Sequence, residues 1–320
     1  MAKYRHALPQ LGGGCFLADG GIETSLIFHD GLELPHFAAF DLLRTAQGEA
    51  ALRNYFRPYA QLARRHGAGL VLETPTWRAS ADWARLLGYD AAALAEANRR
   101  SVALLEAIRA EFETVATPIV ISGCIGPRGD GYVPGERMSA AQAEDYHAAQ
   151  VASFADSAAD LIGAITMNYA EEAIGLARAA QQAGLPVVIS FTLETDGRLP
   201  TGQPLGEAIL QVDAATATGP AYYMINCAHP AHFSTSLAGD EPWTSRLRGL
   251  RANASRMSHA ELNEAPELDA GDPEELGRDY AALKQEKLRH LNVFGGCCGT
   301  DHRHVEQIAR ACLPLFRRAD

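Results

Sequence analysis

Short apolar runs alternate with longer amphipathic segments along almost the whole chain. The runs predict eight strands, over residues 16–18, 70–72, 119–121, 161–165, 187–191, 222–225, 247–250 and 291–294. The segments between them have helical spacing, as in 90–112, where apolar residues recur every three or four positions. Eight strand–helix alternations without a break in composition predict an α/β fold, a (β/α)8 TIM barrel, forming a single domain over residues 1–320.

Local signals indicate where several helices begin. Ser139 with Gln142, and Asn168 with Glu171, have the spacing of a capping box. Asp272 followed by a proline is typical of a helix start. The acidic segment 261–275 contains proline and glycine and predicts a solvated loop after the seventh strand. An open doubly wound sheet is the alternative fold, but no glycine-rich phosphate loop follows the first strand.

Composition and charge argue against some classes of binding partner. The chain has 320 residues, 47% of them hydrophobic, and a formal net charge of −11. This charge argues against nucleic acid and against an anionic membrane surface. We expect neither a signal peptide nor a membrane span, because no apolar stretch is long enough. Six cysteines are too few for a disulfide scaffold in a chain of this length, so we expect thiols and a cytoplasmic location. A homo-oligomer is compatible with these features.

Polar or reactive residues follow the predicted strands. In a barrel of this kind the active site lies at the carboxyl ends of the strands. The residues at those ends are Asp19, Glu73, Thr74, Cys124, Thr166, Glu194, Asn226, Cys227, Asn253, Cys297 and Cys298. We therefore expect the chemistry of this chain on one rim of the barrel.

Three of these cysteines predict a zinc site. Cys297 and Cys298 stand between glycines after the eighth strand, and Cys227 follows the sixth. Adjacent residues of an extended strand point to opposite faces, so the pair can converge only if the backbone turns, which the flanking glycines permit. Three thiolates suit zinc and leave one coordination position free for a substrate. The other three cysteines, Cys15, Cys124 and Cys312, are interpreted as small buried hydrophobic residues.

Other interpretations of the cysteines stay open. A vicinal disulfide would make the chain a redox protein, and a fourth protein ligand would make it a non-catalytic zinc-binding barrel. His302 and His304 are interpreted as capping or surface residues of the last helix, whereas His229 and His232 could contact the metal or a substrate.

The motifs resemble those of the zinc-dependent homocysteine S-methyltransferases. The matching segments are Asp19 to Thr24, Gly123 to Pro127, Asn226-Cys227 and Gly295 to Thr300, in that order along the chain. The resemblance implies a (β/α)8 barrel with Cys227, Cys297 and Cys298 as zinc ligands. It implies a methyl donor that is S-methylmethionine, S-adenosylmethionine or a betaine, and homocysteine as the thiol acceptor that becomes methionine. Another small thiol or a selenol is the alternative acceptor.

The resemblance also implies substrate contacts. Asp19 and the Gly20 amide would hold the amino-acid end of homocysteine, with help from Thr74, and Asn226 belongs to the matching motif. A cationic donor can be held over aromatic faces, and Trp77 is the first candidate, with Tyr222 and Tyr223 behind it. No dedicated catalytic base is expected beyond the zinc site.

One position departs from the family pattern. The family has a glutamate at the end of the fourth strand that pairs with the substrate ammonium, but here Ile165 stands in its place before Thr166. Removing a buried charge partner costs several kcal/mol, roughly 3–5. Glu73 could supply the carboxylate from the neighbouring second strand. Otherwise the acceptor differs from homocysteine.

Overall fold

Eight parallel strands follow the eight apolar runs and close into a barrel. The structure, a computed structural model, describes residues 1–237, 241–265 and 267–316, apart from the side chain of Asn263. The strands are β1 Phe16–Ala18, β2 Gly69–Glu73, β3 Ile119–Ile125, β4 Leu161–Met167, β5 Val187–Thr192, β6 Tyr222–Asn226, β7 Leu247–Ala252 and β8 Val293–Gly296. They pair in chain order, and β8 pairs with β1 to complete the ring. The predicted single-domain (β/α)8 barrel is confirmed.

Helices surround the barrel. The α-helices are α1 Ile22–Thr24, α2 Ala46–His66, α3 Ala81–Leu86, α4 Ala91–Phe112, α5 Ala140–Ala155, α6 Ala170–Gln182, α7 Leu205–Thr216, α8 Pro230–Phe233, α9 His259–Glu264, α10 Pro273–Glu286 and α11 His302–Cys312. Short 3-10 turns lie at Pro9–Gly12, Pro35–Phe37, Ala39–Arg44, Pro242–Arg246 and Leu313–Phe316, and a π-helical turn lies at Ser25–His29. Within the described residues, no helix has the length and apolar character needed to cross a membrane.

The predicted helix starts are mostly confirmed. The capping box of Ser139 and Gln142 opens α5, and Asp272 caps α10. The prediction for Asn168 is wrong, because α6 begins after Tyr169 without a side-chain cap. Strand β4 runs on to Met167, and the Asn168 side chain instead donates a hydrogen bond to the Asp130 carbonyl, at 3.0 Å.

Two other boundaries differ from prediction. Segment 261–275 is not a simple loop: a second capping box, formed by Ser258 and Glu261, opens the short helix α9. Strand β8 lies two residues later than predicted, because its glycines continue the ladder, with Gly295 opposite Arg251. A shift of two preserves which side chains face inward.

The barrel interior has two layers of different character. Near the amino ends of the strands lies an apolar floor, which consists of Leu8, Phe16, Val71, Val120, Leu161, Val188, Tyr222, Met224 and Val293. Two residues further along, four strands carry polar groups, namely Glu73, Ser122, Ser190 and Arg251, all of them buried. We call this the polar layer. It lies directly beneath the rim that carries the cysteines.

Candidate metal centre

Three cysteine sulfurs form one cluster on the rim. The Sγ atoms of Cys227, Cys297 and Cys298 all lie within 4.8 Å of one another. In this structure Cys227 and Cys297 are joined as a disulfide, with 5.4 Å between their Cα atoms, and Cys298 is a free thiol. The predicted convergence of the three is therefore present, whereas the vicinal pairing of Cys297 with Cys298 is not.

The backbone at Cys227 is in an uncommon conformation. Its φ is 53°, in the left-handed region that residues other than glycine rarely occupy. The Cys227 amide donates to the carbonyl of Arg251 at 3.1 Å, which ties the end of β6 to β7. Thr166 at the end of β4 is also left-handed, with φ 67°. Such residues concentrate at functional sites, where the surrounding structure holds them in place.

Asn226 holds these two strand ends together. Its Oδ1 accepts from the Thr166 amide at 2.9 Å and from the Ser190 hydroxyl at 2.6 Å. Its Nδ2 donates to the Thr166 hydroxyl at 2.8 Å and lies 3.9 Å from the Cys297 sulfur. The amide is thus engaged by the protein, and Asn226 fixes the backbone that presents the cysteines.

The turn around Cys297 and Cys298 is fixed by backbone hydrogen bonds. The Thr300 amide donates to the Cys297 carbonyl at 3.1 Å. Gly299 has φ 78°, the left-handed conformation that the glycine frame was predicted to supply. Its amide donates to the Thr24 hydroxyl at 3.1 Å, and the Gly21 amide donates to the Thr300 carbonyl at 3.0 Å. These two bonds fasten α1 to the cysteine turn.

The histidines do not join the cluster. Among the described residues, the group of potential ligands contains the three cysteines alone. His304 is buried in the capping box of α11, as predicted, and His302 is exposed. His229 caps α8, where its Nδ1 accepts from an amide, and burial lowers its pKa to about 4. His232 contacts the carbonyl of Arg256. In the part of the chain that the structure describes, the cluster therefore offers three thiols and no histidine as a fourth ligand.

A tyrosine that the sequence did not single out lies over the sulfurs. The hydroxyl of Tyr132 lies 3.5 Å from the Cys227 sulfur and 3.7 Å from that of Cys298. Its ring stacks on His259, with 4.0 Å between the centroids. Tyr132 comes from the loop after β3 and His259 from α9, so these two segments border the site. Neither segment has a sequence pattern that marks this contact.

Asp19 is paired inside the protein. Its Oδ1 accepts from Arg251 Nη2 at 2.6 Å, and its Oδ2 lies 3.3 Å from the Tyr55 hydroxyl. The same guanidinium donates from Nε to the Gly296 carbonyl at 3.1 Å. Asp19 was predicted to hold the amino-acid end of homocysteine, but its charge is already matched by Arg251. Sequence reasoning missed Arg251. Its one signal is its position two residues after Gly249 on β7, which places its side chain on the same, inner face of the barrel.

Glu73 faces the same guanidinium at a longer distance. Its Oε1 lies 3.8 Å from Arg251 Nη1, and its Oε2 accepts from the Ser122 hydroxyl at 3.1 Å. Burial raises the pKa of Glu73 to about 7, although Arg251 opposes this shift. Burial also raises the pKa of Asp19, and Arg251 again opposes the effect. Glu73 and Arg251 are the charged members of the polar layer, and Asp19 joins them from the end of β1.

The remaining predicted contacts are also tied to the protein. The Thr74 hydroxyl accepts from the Cys124 amide at 2.9 Å, so it fixes the end of β3. Gly20 is packed so closely that a Cβ there would lie 2.7 Å from the Tyr59 hydroxyl. Its carbonyl accepts from the Tyr55 hydroxyl at 2.9 Å. Cys15, Cys124 and Cys312 are buried free thiols, as predicted.

Trp77 has one face covered. The guanidinium carbon of Arg78 lies 4.1 Å from its ring centroid, and the indole Nε1 donates to the Ile165 carbonyl at 3.2 Å. Tyr222 and Tyr223, the next candidates for holding the donor, do not lie at the rim, so their candidacy is wrong. Tyr222 belongs to the apolar floor, and the Tyr223 hydroxyl donates to Asp213 at 2.8 Å on the outer side of the barrel.

Comparison with known proteins identifies the family. The sequence profile described as Homocysteine S-methyltransferase matches residues 16–312. The chain belongs to this family. Its members are S-methyltransferases, so the resemblance and the enzyme class predicted from the motifs are confirmed.

Solved structures have the same fold as this homocysteine S-methyltransferase family member. The homocysteine methyltransferase MmuM from Escherichia coli, in its oxidized form, covers 96% of this chain and 99% of its own at a TM-score of 0.76 and 21% identity. Its metallated form gives a TM-score of 0.74 at 20% identity, with the same coverage. At this identity the likeness shows the fold.

Two curated methionine synthases are similar over part of the chain. That of Mycobacterium leprae (strain TN) is 31% identical over 150 residues, which are 43% of this chain and 11% of the synthase. That of Mycobacterium tuberculosis (strain ATCC 25618 / H37Rv) is 31% identical over 153 residues, which are 45% and 12%. The aligned region is thus about an eighth or less of the length of these relatives.

The chemistry of the cysteine cluster fits a zinc ion. Zinc binds thiolate sulfurs at about 2.3 Å, and sulfurs at the corners of such a tetrahedron are separated by roughly 3.8 Å. The three sulfurs lie within 4.8 Å of one another, so small movements of the side chains would suffice once the disulfide is reduced. Burial raises the pKa of the Cys298 thiol to about 11, so a cation is needed to hold it as a thiolate at neutral pH.

Proposed function

We propose that this protein is a zinc-dependent methyltransferase that moves a methyl group from a sulfonium or quaternary ammonium donor to a small thiol. The proposed acceptor is homocysteine, which gives methionine. The observation that carries the proposal is the convergence of three cysteine sulfurs, from β6 and β8, at the rim of a barrel whose sequence matches this methyltransferase family. A reducing compartment such as the cytoplasm suits it, because Cys227 and Cys297 must be thiolates to bind metal.

The residues of the chain would act as follows. Cys227, Cys297 and Cys298 would hold the zinc, which supplies a place for the acceptor sulfur and favours its deprotonated form. A lone pair of that sulfur forms the new carbon–sulfur bond as the donor's bond to its methyl carbon breaks. The bonding electrons pass to the donor's sulfur or nitrogen and neutralise its charge. The acceptor's proton is lost to solvent on binding, so the transfer step needs no separate base.

Positioning supplies the rest of the proposed catalysis. Asn226 and the hydrogen bonds of the cysteine turn hold the sulfurs in place, which lowers the entropy cost of bringing two substrates together. Asp19, with the Gly20 amide, and Thr74 border the acceptor's side of this proposed site. Trp77 would supply an aromatic face for a cationic donor. Glu73 stays a candidate for the carboxylate that Ile165 has replaced. These substrate contacts are proposals.

A second acceptor is favoured by one observation. Ile165 lacks the family's carboxylate, and Asp19 is already paired with Arg251 at 2.6 Å. A small thiol or selenol without an ammonium group would need neither charge. The proposal therefore includes such acceptors as the alternative substrate.

The test is an activity screen on reduced, zinc-loaded protein. Homocysteine, selenohomocysteine and simple alkanethiols are crossed with S-methylmethionine, S-adenosylmethionine and glycine betaine, and the methylated product is quantified by mass spectrometry. We expect turnover with homocysteine and at least one cationic donor. Turnover only with thiols that lack an ammonium group would support the alternative acceptor. No product from any pair would refute the methyltransferase proposal.

A further inference from the structure

Glu23 is an acidic side chain on the rim that has no ionic partner among the described residues. Among the described residues, Glu23 has no Lys, Arg or His nitrogen within 4.0 Å, whereas Asp19 and Glu73 both face Arg251. It lies in α1, two residues after Gly21. The hydrogen bonds from Gly299 to Thr24 and from Gly21 to Thr300 hold that turn against the cysteine loop. Glu23 is thus a free carboxylate placed beside the cluster.

The surroundings of Glu23 are those of a site wall. Its side chain is partly exposed, yet protein atoms crowd it, and this burial raises its pKa to about 7. Burial raises the pKa of the Cys298 thiol and of the Tyr132 hydroxyl, and the Glu23 charge adds to both shifts. Because no cationic side chain of the protein is paired with this half-exposed carboxylate, it can bind a cationic or polar ligand without first breaking an ion pair.

A buried arginine on the same rim has unused donors. Arg78 is 7% exposed, and its guanidinium lies between two indole rings, 4.1 Å from Trp77 and 3.9 Å from Trp83. Nη1 donates to the Gly129 carbonyl at 2.8 Å. Nε is buried with no hydrogen-bond partner among the described residues. A buried donor left without a partner is costly, by about 1–3 kcal/mol, and is a reason to expect a ligand.

Glu23 and Arg78 act on each other but do not form an ion pair. Glu23 follows β1 and Arg78 follows β2, which pair side by side, and no contact within 4.0 Å joins the two side chains in the described structure. Burial raises the pKa of Glu23 and lowers that of Arg78, and the charge of each residue opposes the shift in the other. Asp130 also acts on Arg78, but its Oδ1 accepts from the amides of Tyr132 and Val133, at 2.8 and 3.0 Å. These two opposite charges, near each other but unpaired, are complementary to a ligand whose ammonium and carboxylate groups are bonded to the same carbon.

We propose that Glu23 and Arg78 form a clamp for the α-amino-acid end of a methyl-transfer substrate, Glu23 receiving the ammonium and Arg78 the carboxylate. This inference rests on the proposed function and offers Glu23, instead of Glu73, as the acid that replaces the one lost at Ile165. Homocysteine and S-methylmethionine share this zwitterionic end, so the clamp serves either the acceptor or the donor. A guanidinium fork and a carboxylate are the groups that recognise these charges.

The experiment measures binding separately from turnover. Calorimetry on reduced, zinc-loaded protein gives dissociation constants for homocysteine, for 4-mercaptobutanoate, which lacks the ammonium, and for 3-mercaptopropylamine, which lacks the carboxylate. S-methylmethionine is titrated in parallel. The variants are Glu23→Gln and Arg78→Lys, which keep size or charge, with the exposed residues Glu207→Gln and Arg64→Lys as matched controls.

We expect each clamp variant to weaken one zwitterionic ligand by roughly 10- to 100-fold, the effect of a charge-assisted hydrogen bond. If homocysteine occupies the clamp, Glu23→Gln leaves 4-mercaptobutanoate unchanged and Arg78→Lys leaves 3-mercaptopropylamine unchanged. If S-methylmethionine occupies it, the loss moves to that ligand. The controls should bind as the wild type does.

The clamp is overturned if both variants bind both zwitterions as tightly as the wild type, or if every ligand weakens equally. It is also overturned if the wild type binds neither zwitterion. Its failure is distinct from that of the proposed function. Turnover with unaffected variants refutes the clamp alone, whereas selective zwitterion binding without turnover with any donor refutes the methyltransferase proposal alone.

Discussion

The two halves of the barrel interior differ sharply although the same strands build them. At the floor, inward side chains are apolar, as with Val71, Val120 and Val188. Two residues further on, the same strands carry Glu73, Ser122 and Ser190. A barrel floor of branched apolar residues supports the fold, and the carboxyl ends carry the chemistry. A step of two residues thus separates the apolar floor from the polar layer beneath the proposed site.

The two layers also differ in how they tolerate change. The floor depends on packing, where the cost of a substitution follows the volume removed. The polar layer depends on charge balance, because Asp19 and Glu73 share the single guanidinium of Arg251. Burial alone would lower the pKa of Arg251, but the two carboxylates hold it above its usual value. Removing one member should therefore disturb the whole group.

The largest effect is expected for Arg251→Met. Loss of the guanidinium leaves buried carboxylates without a partner, which should reduce the free energy of unfolding by about 3–5 kcal/mol. Metal affinity should fall too, because Arg251 Nε donates to the Gly296 carbonyl beside Cys297. Denaturant melts and zinc titrations measure both, with Arg251→Lys as the charge-retaining control. An unfolding free energy equal to that of the wild type would show that the polar layer is not held by this charge.

A substitution in the apolar floor should lower the stability of the fold without changing zinc or substrate binding. Leu161→Ala removes a large side chain from the apolar cluster, and we expect a loss of about 2–5 kcal/mol in unfolding free energy. Zinc stoichiometry and the Michaelis constants should stay unchanged well below the melting temperature. A large change in either would mean that the two layers are coupled.

The smallest effect concerns pH. Burial raises the pKa of Glu73 to about 7 in the folded protein, against an unfolded value of 4.5. Between these values the folded state holds a proton that the unfolded state has lost, so stability should fall as the pH rises. Relative to Glu73→Gln, which does not titrate, the wild type should lose roughly 1–3 kcal/mol between pH 4.5 and 7.5. Parallel profiles of the two proteins would contradict the assignment.

The sequence predicted the strands and the cysteine cluster because both follow local rules. The alternation of apolar runs marks strands even where boundaries shift, as at β8. Cys227 and the pair Cys297 and Cys298 follow strands, and the carboxyl ends of parallel strands meet on one rim. These features need no knowledge of the side-chain partners.

The rest depends on tertiary contacts that no local pattern encodes. Arg251 is one inward side chain among many until Asp19 and Glu73 are placed around it. The position of Tyr222 along its strand could have excluded it from the rim. It lies five residues before Cys227, which is roughly 16 Å at 3.3 Å per residue. The loop that brings Tyr132 over the sulfurs has no periodicity from which its path could be read.

Direct metal titration tests whether the three sulfurs hold one metal ion. Reduced protein is titrated with cobalt(II), and the thiolate-to-cobalt charge-transfer absorption is followed for the wild type and for Cys298→Ser. Cys124→Ser, which alters a buried thiol outside the cluster, is the control. We expect saturation near one ion per chain for the wild type and Cys124→Ser, and affinity at least about 100-fold weaker for Cys298→Ser. Equal binding by Cys298→Ser, or no thiolate absorption in the wild type, would contradict this expectation.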